Sequence, residues 1–99
     1  MGRSIVLDGN GDLCGWFDPD KATFWEDGYS SDLTQTHVYL YRTASGAFLL
    51  NYWDHYQGSD EVYQRASDRE VAEWVMRWGG PALSELPAGI RQIIEEMEV

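Results

Sequence analysis

The sequence predicts an α+β fold: an antiparallel sheet of about five strands, built from two hairpins and a following strand, with two C-terminal helices packed on one face. Three observations predict it. Residues 37–54 hold two runs of β-branched, aromatic and aliphatic residues on either side of Ala44-Ser45-Gly46. A second pair of apolar runs flanks Gly9-Asn10-Gly11. Ser67-Asp68-Arg69-Glu70 then precedes apolar residues at helical spacing.

Ser4–Asp8 and Asp12–Phe17 read as the first hairpin, turning at Gly9-Asn10-Gly11. Asp8, Asn10 and Asp12 match the first liganding positions of a calcium loop. Leu13 then stands where such a loop needs glycine and Pro19 where it needs a bidentate glutamate, so a hairpin turn with flanking acids is the reading. Cys14 falls mid-strand with no histidine nearby, and is expected to be an inert, packed thiol. Asp18-Pro19-Asp20 starts a turn, and Lys21–Asp27 is expected to form a short helical turn carrying Phe24 and Trp25. Residues 28–36 read as an exposed loop.

In the second hairpin, a three-residue loop closes if Gly46 takes a left-handed conformation. Pairing Thr43 with Ala47 puts Val38, Leu40, Phe48, Leu50 and Tyr52 on one face. His37, Tyr39, Tyr41, Leu49, Asn51 and Trp53 share the other. Residues 55–60 read as a turn and Glu61–Ala66 as the next strand. Ser67 and Glu70 form a capping box, Val71, Trp74, Val75 and Trp78 the apolar face of the helix, and Gly79-Gly80-Pro81 its stop. A second helix begins at Pro87, with Ile90, Ile93, Ile94 and Met97 on its apolar face.

Ninety-nine residues make one domain over 1–99, large enough to fold without metal or disulfide staples. Seventeen acids against seven bases give a net charge of −10. That opposes direct binding to nucleic acid or an anionic membrane, which requires cations to displace counterions. The acids lie in the flanks: residues 1–36 and 67–99 carry seven each, residues 37–66 only three. A single cysteine fits a reducing compartment, and no signal or membrane-spanning run is present, so a cytoplasmic location is expected.

Leu40-Tyr41-Arg42-Thr43, Gly46 with Phe48 after it, Tyr52-Trp53, Gln57-Gly58-Ser59 and a capped acidic helix with Glu70, Ala72 and Trp74 resemble a pattern in small bacterial proteins. The resemblance covers about residues 39–79 and implies a bacterial or phage-like source. It implies no activity, so no functional residue is carried over.

His37 and His55 lack the spaced carboxylates of a metal or acid–base site, and no nucleophile or phosphate-loop motif occurs. The expected function is therefore non-enzymatic, without cofactor or metal. The second sheet face is rich in Tyr, Trp and His and poor in charge, as the centres of interfaces are. His37, Tyr39, Tyr41 and Trp53 are thus candidate protein-binding residues, unless the first hairpin or Phe24-Trp25 covers them. Asp18 and Asp20 are candidate charged contacts. The expected partner is a protein with a basic, nucleic-acid-binding surface, which this chain would occupy as an antitoxin, anti-CRISPR or anti-restriction inhibitor. The alternative is an adaptor that forms a homodimer through the aromatic face or the last helix.

Overall fold

The structure, a computed structural model, describes residues 3–26, 37–53 and 62–99. The fold is α+β, with six strands and two helices among the described residues. The strands are β1 (Ser4–Leu7), β2 (Leu13–Phe17), β3 (Thr23–Trp25), β4 (His37–Arg42), β5 (Phe48–Trp53) and β6 (Val62–Arg65). The helices are α1 (Asp68–Trp78) and α2 (Ala88–Glu96). The strand order is β2-β1-β6-β5-β4-β3. Neighbours are antiparallel except β1 and β6, which run parallel with Leu7 opposite Gln64. The sheet is therefore mixed and six-stranded, rather than antiparallel with about five. Two of the expected turns, at 28–36 and 55–60, lie outside the described residues.

The second hairpin forms in the expected register, with Leu40 opposite Leu50 and Arg42 opposite Phe48. Thr43 N–H donates to the Ala47 carbonyl at 2.9 Å, and Gly46 closes the loop at φ +95°. In the first hairpin, Asp8 N–H donates to the Asp12 carbonyl at 2.8 Å. The register then shifts: Val6 faces Gly15 but Leu7 faces Leu13. Cys14 is the extra residue of this bulge and is exposed, not packed.

The expected helical turn at 21–27 is replaced by a 3-10 turn at Pro19–Lys21, followed by β3. Pro19 stands in the first turn with its φ preset, and Asp18 Oδ1 accepts the Asp20 N–H at 3.0 Å, so the turn starts two residues early. Thr23-Phe24-Trp25 then follow their β preference and pair with β4. Strand alternation sends Phe24 to one face and Trp25 to the other.

This connection curls the sheet. In a flat sheet β2 and β3 would lie five strand spacings apart, about 24 Å. From Phe17 to Thr23 the chain has six Cα steps, at most about 21 Å when fully extended, and a 3-10 turn shortens them further. Accordingly, the Phe17 ring at one edge reaches the Tyr41 ring on β4, with 5.9 Å between centroids.

The main core lies between the helices and the Leu40–Leu50 face. Leu40, Phe48 and Leu50 pack with Val71, Ala72, Trp74 and Val75 of α1 and with Leu86 and Ile90. The capping box is complete: Glu70 N–H donates to Ser67 Oγ at 3.1 Å, and Ser67 N–H to Glu70 Oε1 at 3.0 Å. Gly79 ends α1 in a left-handed cap. Pro87 stands just before α2, with extended backbone, and the helix begins at Ala88. Trp74 ties α1 to the sheet, since its Nε1–H donates to the Val38 carbonyl at 2.8 Å. A Cβ at Gly80 would overlap the Trp74 indole, so this glycine gives the ring its seat.

Trp74→Ala is expected to cost about 3–5 kcal/mol, the usual cost of emptying a buried ring site. Trp74→Phe should cost less, since the ring site stays filled and the Nε1–H bond to the Val38 carbonyl is lost, about 1 kcal/mol. Denaturant melts measure both; an unchanged midpoint for Trp74→Ala would mean that α1 is not docked this way. Alkaline pH tests the same layer through Tyr52. Burial, and secondarily the Glu70 carboxylate, push its phenol above the ordinary 10.0. Its neutral form is thus favoured in the folded state, giving stability that is present below pH 10 and lost as pH rises through the elevated value. Thermal melts should show a decline above about pH 10 that Tyr52→Phe weakens.

Candidate functional site

His37, Tyr39 and Tyr41 share the sheet face away from the helices, as the register requires. Tyr39 and Tyr41 are half-buried, because Phe24 of β3 stacks beside both at 6.0 and 5.3 Å between centroids. Tyr41 also meets Tyr63 edge-on at 5.4 Å, and Tyr63 meets Phe17 at 4.8 Å. Together with Val6 and Leu49 these rings form a second, smaller core, built by the curl of the sheet. His37 is fully buried, with its ring 6.1 Å from that of Tyr39. Trp53 closes β5 opposite His37. Asn51 is buried on the same face; its Nδ2–H donates to the Val62 carbonyl at 3.4 Å, and its Oδ1 has no partner among the described residues.

Asp18 and Asp20 stand apart from the tyrosines in sequence, in the connection from β2 to β3. Asp18 is half-buried and engaged in the turn; Asp20 is exposed. The first hairpin turn uses its acid in the same way. Asp8 Oδ1 accepts from Asn10 N–H at 2.8 Å and from Asp12 N–H at 3.0 Å, an Asx turn. Among the described residues, no group of three or more His, Cys, Asp or Glu could hold a metal ion. None of their helices is long and apolar enough to cross a membrane.

Two features were not apparent from sequence. The first is an apolar strip on the helix-bearing face of the first hairpin. Trp16 lies opposite Ile5, and Leu13 opposite Leu7, which aligns through Gln64 with Leu50 of the main core. The helices cover Leu50 but stop short of the hairpin, so Ile5, Trp16 and Leu13 are 61%, 61% and 67% exposed. β2 is also an edge of the sheet. Its alternation was visible in the sequence; which part of the face the helices would leave open was not.

The second is a cleft of about 920 Å³ that runs from Trp16 at the β2 edge to the inner face, between the first hairpin, residues 18–21 and the Thr43–Ala47 turn. Val6, Phe17 and Leu49 give it an apolar lining, while Arg3, Lys21 and Arg65 bring cations. Arg3 lies over the Trp16 ring, 5.2 Å from its centroid. The three cations come from positions 3, 21 and 65, so no sequence window could group them. No protein family, curated protein or solved structure matches the chain.

Proposed function

We propose that the protein is a non-enzymatic protein-binding module that docks the open side of its first hairpin on a basic surface of a partner. The observation that carries this reading is the exposed Ile5, Leu13 and Trp16 strip on an edge strand. Isolated apolar side chains on a surface need no explanation, but a contiguous group marks an interaction site. An edge strand adds main-chain hydrogen bonds to such a site, since a partner strand can pair with it. Asp12 immediately precedes β2, and Asp18 and Asp20 follow it. An apolar strand bracketed by acids has the anatomy of an interface: a dry centre and a polar rim.

The net charge of −10 supports a basic partner, because long-range attraction accelerates encounter. Proteins that bind nucleic acid own such surfaces, and covering one would inhibit its owner, as an antitoxin, anti-CRISPR or anti-restriction protein does. In this reading Trp16 and Leu13 supply the desolvated contact, and Asp18 and Asp20 steer. Tyr39, Tyr41 and His37 support the strand pairs behind them, with the exposed edge of the Phe24 ring as the way the aromatic face could add contact.

Capture of a partner from host lysate, followed by surface kinetics at two salt concentrations, tests this. Trp16→Ala is expected to speed dissociation at least tenfold, the equivalent of about 1.4 kcal/mol. Asp18→Lys with Asp20→Lys should slow association and flatten its salt dependence. Binding that is unchanged by either set rejects the hairpin as the contact surface. A dimer of this chain that Trp16→Asp dissociates would assign the strip to self-association instead.

A further inference from the structure

The basic cleft adjoins that contact surface and shares Trp16 and Asp18 with it, but its cations and its Val6, Phe17 and Leu49 lining are not used by that reading. The chain as a whole carries 7 cations against 17 acids. Of the charged side chains lining the cleft, three are cations (Arg3, Lys21 and Arg65) and one is an acid, Asp18. The sign of the molecule is thus reversed locally. Among the described residues none of the three cations makes an ion pair, while Asp18 Oδ1 already accepts a backbone N–H. Three cations against one acid leave the described lining net positive, a potential that a bound anion would neutralise. Beneath them Val6, Phe17 and Leu49 are buried core residues whose outer surfaces line the cavity. Its volume, about 920 Å³, falls within the usual range for small-molecule sites, roughly 300–1,000 Å³.

We infer that this cleft binds a small organic anion: an apolar body seated against Val6, Phe17 and Leu49, with a carboxylate or phosphate head held by Lys21 and Arg65. The apolar lining excludes a bare inorganic ion as the best ligand, since such an ion gains nothing from burying hydrocarbon. The cations exclude a neutral apolar ligand as the best one, since it would leave their potential unanswered. Arg3, already stacked on Trp16, closes the rim as a third charge. The wall made by the Thr43–Ala47 turn is braced, because Thr43 Oγ1 accepts the Ala47 N–H at 3.1 Å.

Amide chemical-shift titration of the full chain tests this with 4-phenylbutyrate and phenyl phosphate, each beside a neutral counterpart, 4-phenylbutanol and phenol. At least one anion is expected to shift Val6, Leu49 and Arg65 amides and to bind at least tenfold more tightly than its neutral counterpart. Which of the two binds distinguishes a carboxylate from a phosphate head. Lys21→Gln with Arg65→Gln should remove that advantage, and both residues are exposed, so folding is preserved. Arg77→Gln, on α1, should change nothing. Cys14 provides a second readout, since it lines the same cleft and is the chain's single cysteine. Its thiolate displaces iodide from anionic iodoacetate and from neutral iodoacetamide. The ratio of the two rates should exceed that of the urea-unfolded chain several-fold, and fall in the double Gln variant. Equal binding of anion and neutral counterpart, anion binding that survives the double substitution, or no shift at the cleft would overturn the assignment. A raised alkylation ratio without anion binding would overturn it as well.

Discussion

Asp18 accepts the Asp20 N–H and begins the short turn that carries the chain from β2, at one edge of the sheet, to β3 at the other. That link is too short for a flat six-stranded sheet, so the sheet must curl, and the curl divides the protein into two layers. On the outer side α1 and α2 pack over β4 and β5, with Trp74 bonded to the Val38 carbonyl. On the inner side Phe17, Tyr41 and Tyr63 meet as a ring cluster with Val6 and Leu49. Neither α1 nor α2 covers the inner layer. Aromatic rings fill it because few side chains are large enough to bridge a curled sheet from within.

The same curl decides what stays exposed. The first hairpin bends away from the helices, which leaves Ile5, Leu13 and Trp16 open on the outer side, and it overhangs the inner side to enclose the cleft. An open apolar edge strand is an aggregation hazard, which proteins blunt with bulges and charge. Here the bulge at Cys14 interrupts the pairing, and Asp12 and Asp18 stand at the ends of β2. The proposed contact is thus the least protected surface the fold leaves, and in that proposal the net charge of −10 would steer it toward a cationic partner. The cleft is an exception within this acidic field, with its three cations drawn from before β1, from the β2–β3 connection and from β6.

Much of the fold was legible in local chemistry. Thr43 to Ala47 specified its own loop, and the alternation from Val38 to Tyr52 fixed which face the helices take. Ser67, Glu70 and Gly79 marked both ends of α1. What local chemistry could not give was strand order. The parallel contact of Leu7 with Gln64 is a long-range outcome, and no pattern near either residue encodes it. β3 was hidden because three residues are too few to show a period, and the helical turn expected from Lys21 onward is instead the tight turn at Pro19–Lys21. The exposure of Cys14 depended on a bulge at its own position in β2. The site followed the same rule: the aromatic face could be listed from its register, but Phe24 beside it, the open strip and the basic cleft all depend on how distant segments curl together.

The curl is the central claim, and the coupling between Phe17 and Tyr41 tests it most directly. These residues lie on strands four positions apart in the sheet order, a separation of about 19 Å if the sheet were flat. Stability measurements on Phe17→Leu, Tyr41→Leu and the double variant form a thermodynamic cycle. The curled sheet predicts a coupling of about 0.5–1.5 kcal/mol, as for other aromatic pairs in edge contact. Strict additivity of the two substitutions would contradict it, and with it the inner core and the cleft that the curl encloses.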